Sequence, residues 1–293
     1  MASHLNFTKT RLEKIVTLFP YKNRYASKPA IKKSNIFHVL MEFSIEIFIA
    51  AGIISFFAAF IHGSIGLGFP MVATPLLALV TDIQTAIILT IIPSFLTNLV
   101  SIRSEGNILS ASHRYLSLAL FVMAGSAIGT QVLIFNNSEI FKALLAVAIV
   151  VYLFVDKVNF NLTWVAGHHV FSRFLFGVFA GVLGGLTNVM APVLIIYTLE
   201  SKHSKSETIQ ALNFCFLFGK LTQFILFSIN SKFSLDKLSV SSVMLIAASL
   251  ALYIGINIRK KIELNTYRKI LRLVLLILAA LLLIQVSVIV TSS

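Results

Sequence analysis

The chain has 293 residues, of which 57% are hydrophobic and 12% are charged, and its mean hydropathy is +0.91. This composition excludes a soluble globular domain and indicates repeated apolar runs of about 20 residues, which cross membranes as helices. The single cysteine, Cys215, excludes an internal disulfide and a thiolate cluster. The sequence therefore predicts an all-α polytopic membrane protein.

The net charge of +13 is distributed unevenly, because residues 1–43 carry eight Lys and Arg residues against two glutamates. Basic segments beside a membrane span bind anionic lipid or fix the cytoplasmic side. Residues 1–43 are therefore predicted to form a basic cytoplasmic or interfacial tail, with a transit peptide as the alternative. Nucleic-acid binding is not expected, because no folded module would present the charge.

Apolar blocks and polar breaks divide the rest of the chain into two similar halves. The first half, 44–156, is predicted as transmembrane repeat 1, a loop at 157–169 follows, and 170–293 is predicted as repeat 2. Each half begins with a long apolar block and continues with three spans. The blocks are 45–80 and 170–199, and the spans are 83–101, 114–135, 139–156, 207–229, 237–256 and 268–290. Asp82 is expected to form a turn or a cap before the span 83–101, and Arg103 to mark the end of that span.

Each long block is interrupted by helix-breaking residues. "GSIGLGFPMVATPLL" at 63–77 matches "GVLGGLTNVMAP" at 181–192, with Gly63 opposite Gly181, Gly66 opposite Gly184 and Pro75 opposite Pro192. Inside a helix a glycine costs about 1 kcal/mol and a proline about 3 kcal/mol, and in lipid an unpaired backbone group costs more. We therefore expect two structural repeats, each a Gly/Pro-broken re-entrant or discontinuous helix element plus three transmembrane helices.

The relative orientation of the two repeats depends on how many times each broken element crosses the membrane. The repeats are inverted if the element re-enters or crosses twice, which is the arrangement we predict, and parallel if it crosses once. The alternative reading is that the glycines only allow close helix packing, but this does not explain the prolines.

Duplicated halves with broken helices in matching positions indicate a transporter whose binding site lies between the breaks. A helix N-terminus exposes unpaired N–H groups with partial positive charge, so two such ends facing each other would bind an anion. The stretches 63–75 and 184–192 are predicted to meet there.

The same residues resemble a known family. "GSIGLGFPMVATPLLALVTDIQTAIILTIIPSFLTNLV", "GVLGGLTNVMAPVLIIYTLE" and "LNFCFLFGKLTQFILF" are similar to the paired signatures of the TauE/SafE permeases over roughly 45–290. This resemblance implies a multi-pass permease of the bacterial inner membrane that moves a small anion, such as a sulfur oxyanion or organosulfonate. The second-half turn departs from the family's glycine cluster, so the side chains of Thr187 and Asn188 are expected to replace some backbone contacts.

The predicted substrate-binding residues are polar groups and glycines at or near the breaks. They are His62, Gly63, Gly66, Gly68, Thr74, Asn98, Gly184, Gly185, Thr187, Asn188, Asn213, Lys220 and Gln223. Lys220 lies midway along its span with Gln223 one turn later, which favours an anion contact over a lysine that reaches the interface. His62 has two open readings, an anion or proton carrier or a ring bonded to a neighbouring carbonyl.

Several chemistries find no support in the sequence. No Asp or Glu lies well inside a span, no cluster has metal-ligand spacing, and no nucleophile, P-loop or HExxH motif occurs. We therefore expect no cofactor, no metal and no enzymatic activity, with anionic lipids as partners of the tail; a homodimer stays open. The rivals are a carrier of another small organic anion, such as a carboxylate, and a non-transporting membrane partner that works through its tail.

Overall fold

The computed structural model describes residues 43–136, 140–155 and 162–259, together with helical residues between 272 and 287. Within these ranges the chain is helical and contains no strand. The basic tail, but for Phe43, lies outside the described residues, as do 11 of the 23 residues of the predicted span 268–290.

Ten helices can be followed from residue 45 to residue 259. They are α1 (Ile45–Ile65), α2 (Phe69–Val80), α3 (Ile83–Glu105), α4 (Ile108–Phe135), α5 (Ile140–Val155), α6 (Thr163–Gly167), α7 (His169–Thr187), α8 (Ala191–Glu200), α9 (Lys205–Ile229) and α10 (Leu235–Arg259). Six of them, α1, α3, α4, α7, α9 and α10, are long and apolar enough to cross a membrane. A shorter apolar helix occupies Leu275–Ile284. The chain is thus an all-helical membrane protein with six candidate spans among the described residues.

Polar caps mark the starts of three helices and explain why α4 and α9 begin earlier than the hydropathy pattern predicts. Asp82 accepts a hydrogen bond from the backbone N–H of Thr85 at 2.9 Å, which confirms it as the cap of α3, and Arg103 lies in the last turn. Asn107 caps α4 in the same way, so this helix starts six residues before the predicted span. Ser204 forms a capping box with Glu207 at the start of α9. The polar residues in these first turns fall outside the apolar runs from which the spans were predicted.

The first apolar block is interrupted at residues 66–68. Gly66 ends α1 with φ 96° and donates its N–H to the carbonyl of His62 at 2.6 Å, and Gly68 precedes α2 with φ 113°. Both angles are left-handed, which favours glycine. Pro70 lies in the first turn of α2, where its missing N–H costs nothing.

The second apolar block is interrupted at residues 188–190. Asn188 ends α7 with φ 69° and donates its N–H to the carbonyl of Gly184 at 2.8 Å, and Pro192 lies in the first turn of α8. Pro192 therefore corresponds to Pro70, and the predicted match with Pro75 is wrong, because Pro75 lies inside α2. The sequence comparison aligned glycines, whereas in the second half an asparagine takes the left-handed position one turn after Gly184.

Two helix pairs pack most extensively, α1 with α10 and α4 with α7. Glycines allow the close approach: a Cβ atom on Gly181 would lie 2.2 Å from the carbonyl oxygen of Val122, and one on Gly63 would lie 2.8 Å from that of Leu252. Both contacts are with backbone atoms, which cannot rotate away. The alternative interpretation, that the glycines allow close helix packing, therefore applies to Gly63 and Gly181.

The helices α3 and α9 also pack together and run in opposite directions. The start of α9 meets the end of α3, where the hydroxyl of Ser206 donates to the carbonyl of Glu105 at 3.1 Å. One turn further along α9, Gln210 donates to the carbonyl of Ile102 at 3.5 Å. This antiparallel pair brings the middle of α9 beside the middle of α3, close to both breaks.

Candidate functional site

A lysine in the middle of α9 is the centre of a buried polar cluster. The side chain of Lys220 is completely buried, and its Nζ donates to Oδ1 of Asn188 and to Oε1 of Gln223, the latter at 2.9 Å. Gln223 lies one turn after Lys220 on the same helix and donates through Nε2 to the carbonyl of Gly184 at 3.2 Å. The predicted pairing of Lys220 with Gln223 on one helix face is present.

Asn188 connects this cluster to the first half of the chain. Its Nδ2 donates to Oγ1 of Thr74 at 2.8 Å and to Oγ1 of Thr90 at 2.9 Å. Thr74 belongs to α2 and Thr90 to α3, so one amide at the second break contacts the two helices that follow the first break. The left-handed conformation of Asn188 points its side chain into the cluster while its backbone N–H closes α7.

The amino group of Lys220 donates to two neutral acceptors, the amide oxygens of Asn188 and Gln223. An ion pair joins Arg114 to Glu207 at a partly exposed site on other turns of α4 and α9. A buried ammonium group without a carboxylate partner carries a desolvation cost of several kcal/mol that two amide oxygens offset only in part. A bound anion would offset the rest, which makes the cluster a candidate anion site.

A second group of polar residues surrounds the first break. The ring of His62 accepts from the backbone N–H of Phe69 at Nδ1 (3.1 Å), so the neutral ring carries its proton on Nε2, which faces the carbonyl of Thr97 at 3.1 Å. Nε2 also lies 2.8 Å from Oγ of Ser101. These contacts match the reading of His62 as a ring bonded to a carbonyl at a helix break.

Two asparagines lie beside this group. Asn213 on α9 donates to the carbonyl of Gly66 at 2.7 Å, so α9 contacts the first break as well as the second. Both amide atoms of Asn98 are buried and have no hydrogen-bond partner among the described residues, and the same holds for Oδ1 of Asn213. Unpaired buried amides are rare in native proteins, so these two residues have hydrogen-bonding capacity available for a ligand.

The predicted site residues therefore fall into three groups. One comprises the Lys220 cluster and one surrounds the first break; the members of these two are Thr74, Gly184, Asn188, Lys220, Gln223, His62, Gly66, Asn98 and Asn213. The third group has local roles. Gly63 and Gly185 lie in helix contacts, Gly68 takes a left-handed angle, and the hydroxyl of Thr187 donates to the carbonyl of Leu183 and accepts from the N–H of Val189.

Sequence reasoning missed Thr90, which accepts from Asn188. Its signal is a hydroxyl inside an apolar span, three residues before Pro93. Many such hydroxyls bond only their own helix, as Ser94 does with the carbonyl of Thr90 at 2.6 Å. The sequence alone does not separate the two cases.

Comparison with known proteins identifies the family. The TauE/SafE sulfite exporter family matches residues 51–282, which include both breaks, the Lys220 cluster and all six candidate spans except the first turns of α1. No curated protein and no solved structure matches the chain. The chain belongs to the TauE/SafE sulfite exporter family, whose members are membrane transporters of sulfur-containing anions.

Proposed function

We propose that the protein is a permease of the bacterial inner membrane that moves a small sulfur oxyanion or organosulfonate through a site between the two helix breaks. The observation that supports this most is the buried Nζ of Lys220, whose acceptors within the described ranges are the neutral oxygens of Asn188 and Gln223. A sulfonate or sulfite oxygen beside Nζ would complete the charge balance. The amide of Asn98, buried and unpaired among the described residues, offers further hydrogen bonds.

The site is made by two inverted repeats in this proposal. Corresponding helices start at equal intervals, since residues 69 and 191 begin α2 and α8, residues 83 and 205 begin α3 and α9, and both pairs are 122 apart. The antiparallel contact of α3 with α9 is the relation that an inverted pair would have across a twofold axis in the membrane plane. At the same interval, Asn98 on α3 corresponds to Lys220 on α9.

The inversion is tested by the sidedness of two equivalent loops. Single cysteines replace Ser104, at the end of α3, and Lys232, after the end of α9, in a Cys215→Ala background. Inverted repeats place these two positions on opposite membrane faces, so a membrane-impermeant maleimide labels one of them in sealed, oriented vesicles and both after permeabilisation. Labelling of both from one side would show parallel repeats.

Transport itself is tested by anion flux in liposomes. Lys220→Met and Asn188→Ala are expected to lower saturable sulfite or sulfonate flux, whereas a chain lacking residues 1–38 keeps it. Lys237→Met is the matched control, because Lys237 lies in the first turn of α10 and donates to the carbonyl of Lys232, away from the cluster. A loss of function in the tail deletion alone would instead support the membrane-partner alternative.

The class of anion is tested by thermal stabilisation of the purified protein. A ligand of the folded state raises stability by RT ln(1 + [L]/Kd). Sulfite, thiosulfate, alkylsulfonates and carboxylates are compared at equal concentration in wild type and in Lys220→Met. The proposal expects stabilisation by the sulfur anions that Lys220→Met removes; stabilisation by carboxylates alone would identify a carboxylate carrier.

A further inference from the structure

A second polar pocket lies at the helix ends, apart from the Lys220 cluster. It is a cavity of about 210 Å³ formed where the first turns of α4 and α7 meet the end of α8 and the loop before α9; its lining residues are Arg114, Tyr115, Leu118, His169, Arg173, Tyr197, Ser201 and His203. Arg114 pairs with Glu207, which precedes Lys220 by 13 positions on α9. At 1.5 Å per residue this is about 20 Å along the helix, so the pocket lies near a membrane face while Lys220 lies near the middle.

Three buried polar atoms of this pocket have no partner. They are Oη of Tyr115, Oγ of Ser201 and Nδ1 of His203, none of which has a hydrogen bond within the described part of the chain. Tyr115 is only 2% exposed, so its hydroxyl has no compensating contact with bulk solvent. Three unpaired groups lining one small cavity can hydrogen-bond a ligand with several oxygen atoms, and native proteins pair nearly all such groups.

The charge around the pocket is positive. Arg114 lies 5.8 Å from the ring centroid of Tyr115 and pairs with the carboxylate of Glu207, and Arg173 donates through Nη1 to Oγ of Ser117 at 3.1 Å. Two guanidinium groups line the pocket and the Glu207 carboxylate pairs with one of them, which leaves an excess of one positive charge before the histidines are counted. Arginine presents several N–H groups in a planar fork that suits oxyanions.

We propose that this pocket is a second oxyanion site, which binds a tetrahedral sulfate- or phosphate-type group at the membrane face. Arg114 and Arg173 supply the charge, and the hydroxyls of Tyr115 and Ser201 with the ring of His203 supply the remaining donors. A cavity of this volume holds one such group with a few waters. Binding at this pocket does not depend on transport through the Lys220 cluster, so this proposal is independent of the proposed function.

The chemistry admits two sources of the oxyanion. A free inorganic anion would reach the pocket from the aqueous side, and the phosphate of a lipid headgroup would reach it from the membrane. Both present the same oxygens to the same donors, so the experiment separates the sources after it has established the site.

The protonation of His203 adds a pH dependence. Burial, reinforced by the charge of Arg114, lowers the pKa of His203 below its ordinary value, so the ring is neutral at pH 7. The other titratable groups facing it are Tyr115 and Tyr197, whose rings lie 5.9 and 6.1 Å away, and the carboxylate of Glu207. A bound anion favours the protonated ring, so oxyanion affinity rises as the pH falls through the pKa of His203.

The test measures sulfate and phosphate affinity by calorimetry on the full chain in a Lys220→Met background, which removes the cation of the central cluster. Arg173→Gln is expected to weaken binding about 10-fold or more, because it removes a charged donor, and Tyr115→Phe about 5-fold, because it removes one neutral hydroxyl. Lys202→Gln is the matched control: it removes an exposed positive charge from the same loop without lining the pocket. Measuring the sulfate and phosphate affinities of the same variants with Lys220 intact repeats the comparison in the wild-type background.

The proposal is overturned if the Lys220→Met chain binds sulfate with the same affinity with and without Arg173→Gln or Tyr115→Phe. It is also overturned if none of these chains shows saturable binding. The source is then separated in nanodiscs of phosphatidylcholine with and without phosphatidic acid. Competition by phosphatidic acid that Arg173→Gln abolishes identifies a lipid headgroup as the occupant. Unchanged sulfate affinity in both nanodiscs identifies a free oxyanion.

Discussion

At the first helix break, Gly66 and Gly68 take left-handed angles of 96° and 113°, whereas at the second break Asn188 takes the left-handed position at 69°. Both breaks are three residues long and are followed by a helix with proline in its first turn. The backbone plan is therefore shared, but the side chains differ. His62 bonds the backbone across the first break, while Asn188 at the second break bonds a lysine and two threonines.

The two breaks therefore share a backbone conformation but differ in the hydrogen bonds that their side chains can make. Glycine provides only conformation at the first break, and asparagine provides conformation together with one acceptor and two donor hydrogens at the second. In the Lys220 cluster the amino group contacts the second break, and the residue 122 positions earlier, on α3, is Asn98, whose amide atoms have no partner among the described residues. The amino group and the unpaired amide thus lie in different halves of the chain.

The largest expected effect concerns the helices that lead into the breaks. Gly181→Ala would place a Cβ atom 2.2 Å from the carbonyl oxygen of Val122, and Gly63→Ala would place one 2.8 Å from that of Leu252. Overpacking against backbone costs up to about 3 kcal/mol, and the shorter contact costs more. We expect Gly181→Ala to lower the Tm of the purified protein more than Gly63→Ala. Equal Tm values for the two variants would contradict this ranking.

The second prediction exchanges the charge between the halves. Lys220→Asn removes the charged donor and is expected to lower anion flux about 10- to 100-fold, the range for a hydrogen bond to a charged group. Asn98→Lys in the same chain restores a cation at the corresponding place on α3 and is expected to recover part of the flux. The measurement is initial rate in liposomes, with Lys237→Asn as control. Full flux in Lys220→Asn alone would show that the cation plays no part.

The sequence was sufficient for the features that depend on local chemistry. The cap at Asp82, the interruptions of both apolar blocks and the shared face of Lys220 and Gln223 follow from residue types within a few positions of each other. These are helix-terminus and helix-period effects, which short stretches determine.

The features that depend on distant contacts were not predictable from one sequence. Asn188 meets Thr74 across 114 positions and Thr90 across 98, and no local pattern marks which hydroxyl will be its partner. The glycines divide into turn formers and packing contacts only when φ angles and neighbours are known, as Gly66 and Gly181 show. The pocket around Arg173 was missed because its residues come from three separate stretches of the chain, 114–118, 169–173 and 197–203.

The third prediction concerns the imidazole that bonds the first break. His62→Leu leaves the N–H of Phe69 and the carbonyl of Thr97 without their present partner in a buried site, at a cost of about 2 kcal/mol. We expect a lower Tm and an unchanged KM for the transported anion, because both ring nitrogens already bond protein atoms. Ser101→Ala is the control, since it removes one contact of the ring and keeps the others. A changed KM at unchanged Tm would identify His62 as a substrate or proton contact.

The smallest expected effect isolates backbone conformation at the first break. No atom lies within 4 Å of a Cβ built on Gly68, so a substitution there tests only its φ of 113°. Gly68→Ala is expected to cost about 1 kcal/mol of stability, and Gly68→Asn less, because asparagine adopts left-handed angles more readily. Denaturation in detergent measures the difference, and anion flux should be unchanged in both variants. If Gly68→Asn costs more than Gly68→Ala, the asparagine at the second break is not there for its conformation, and its contacts with Lys220 and the threonines alone account for its presence.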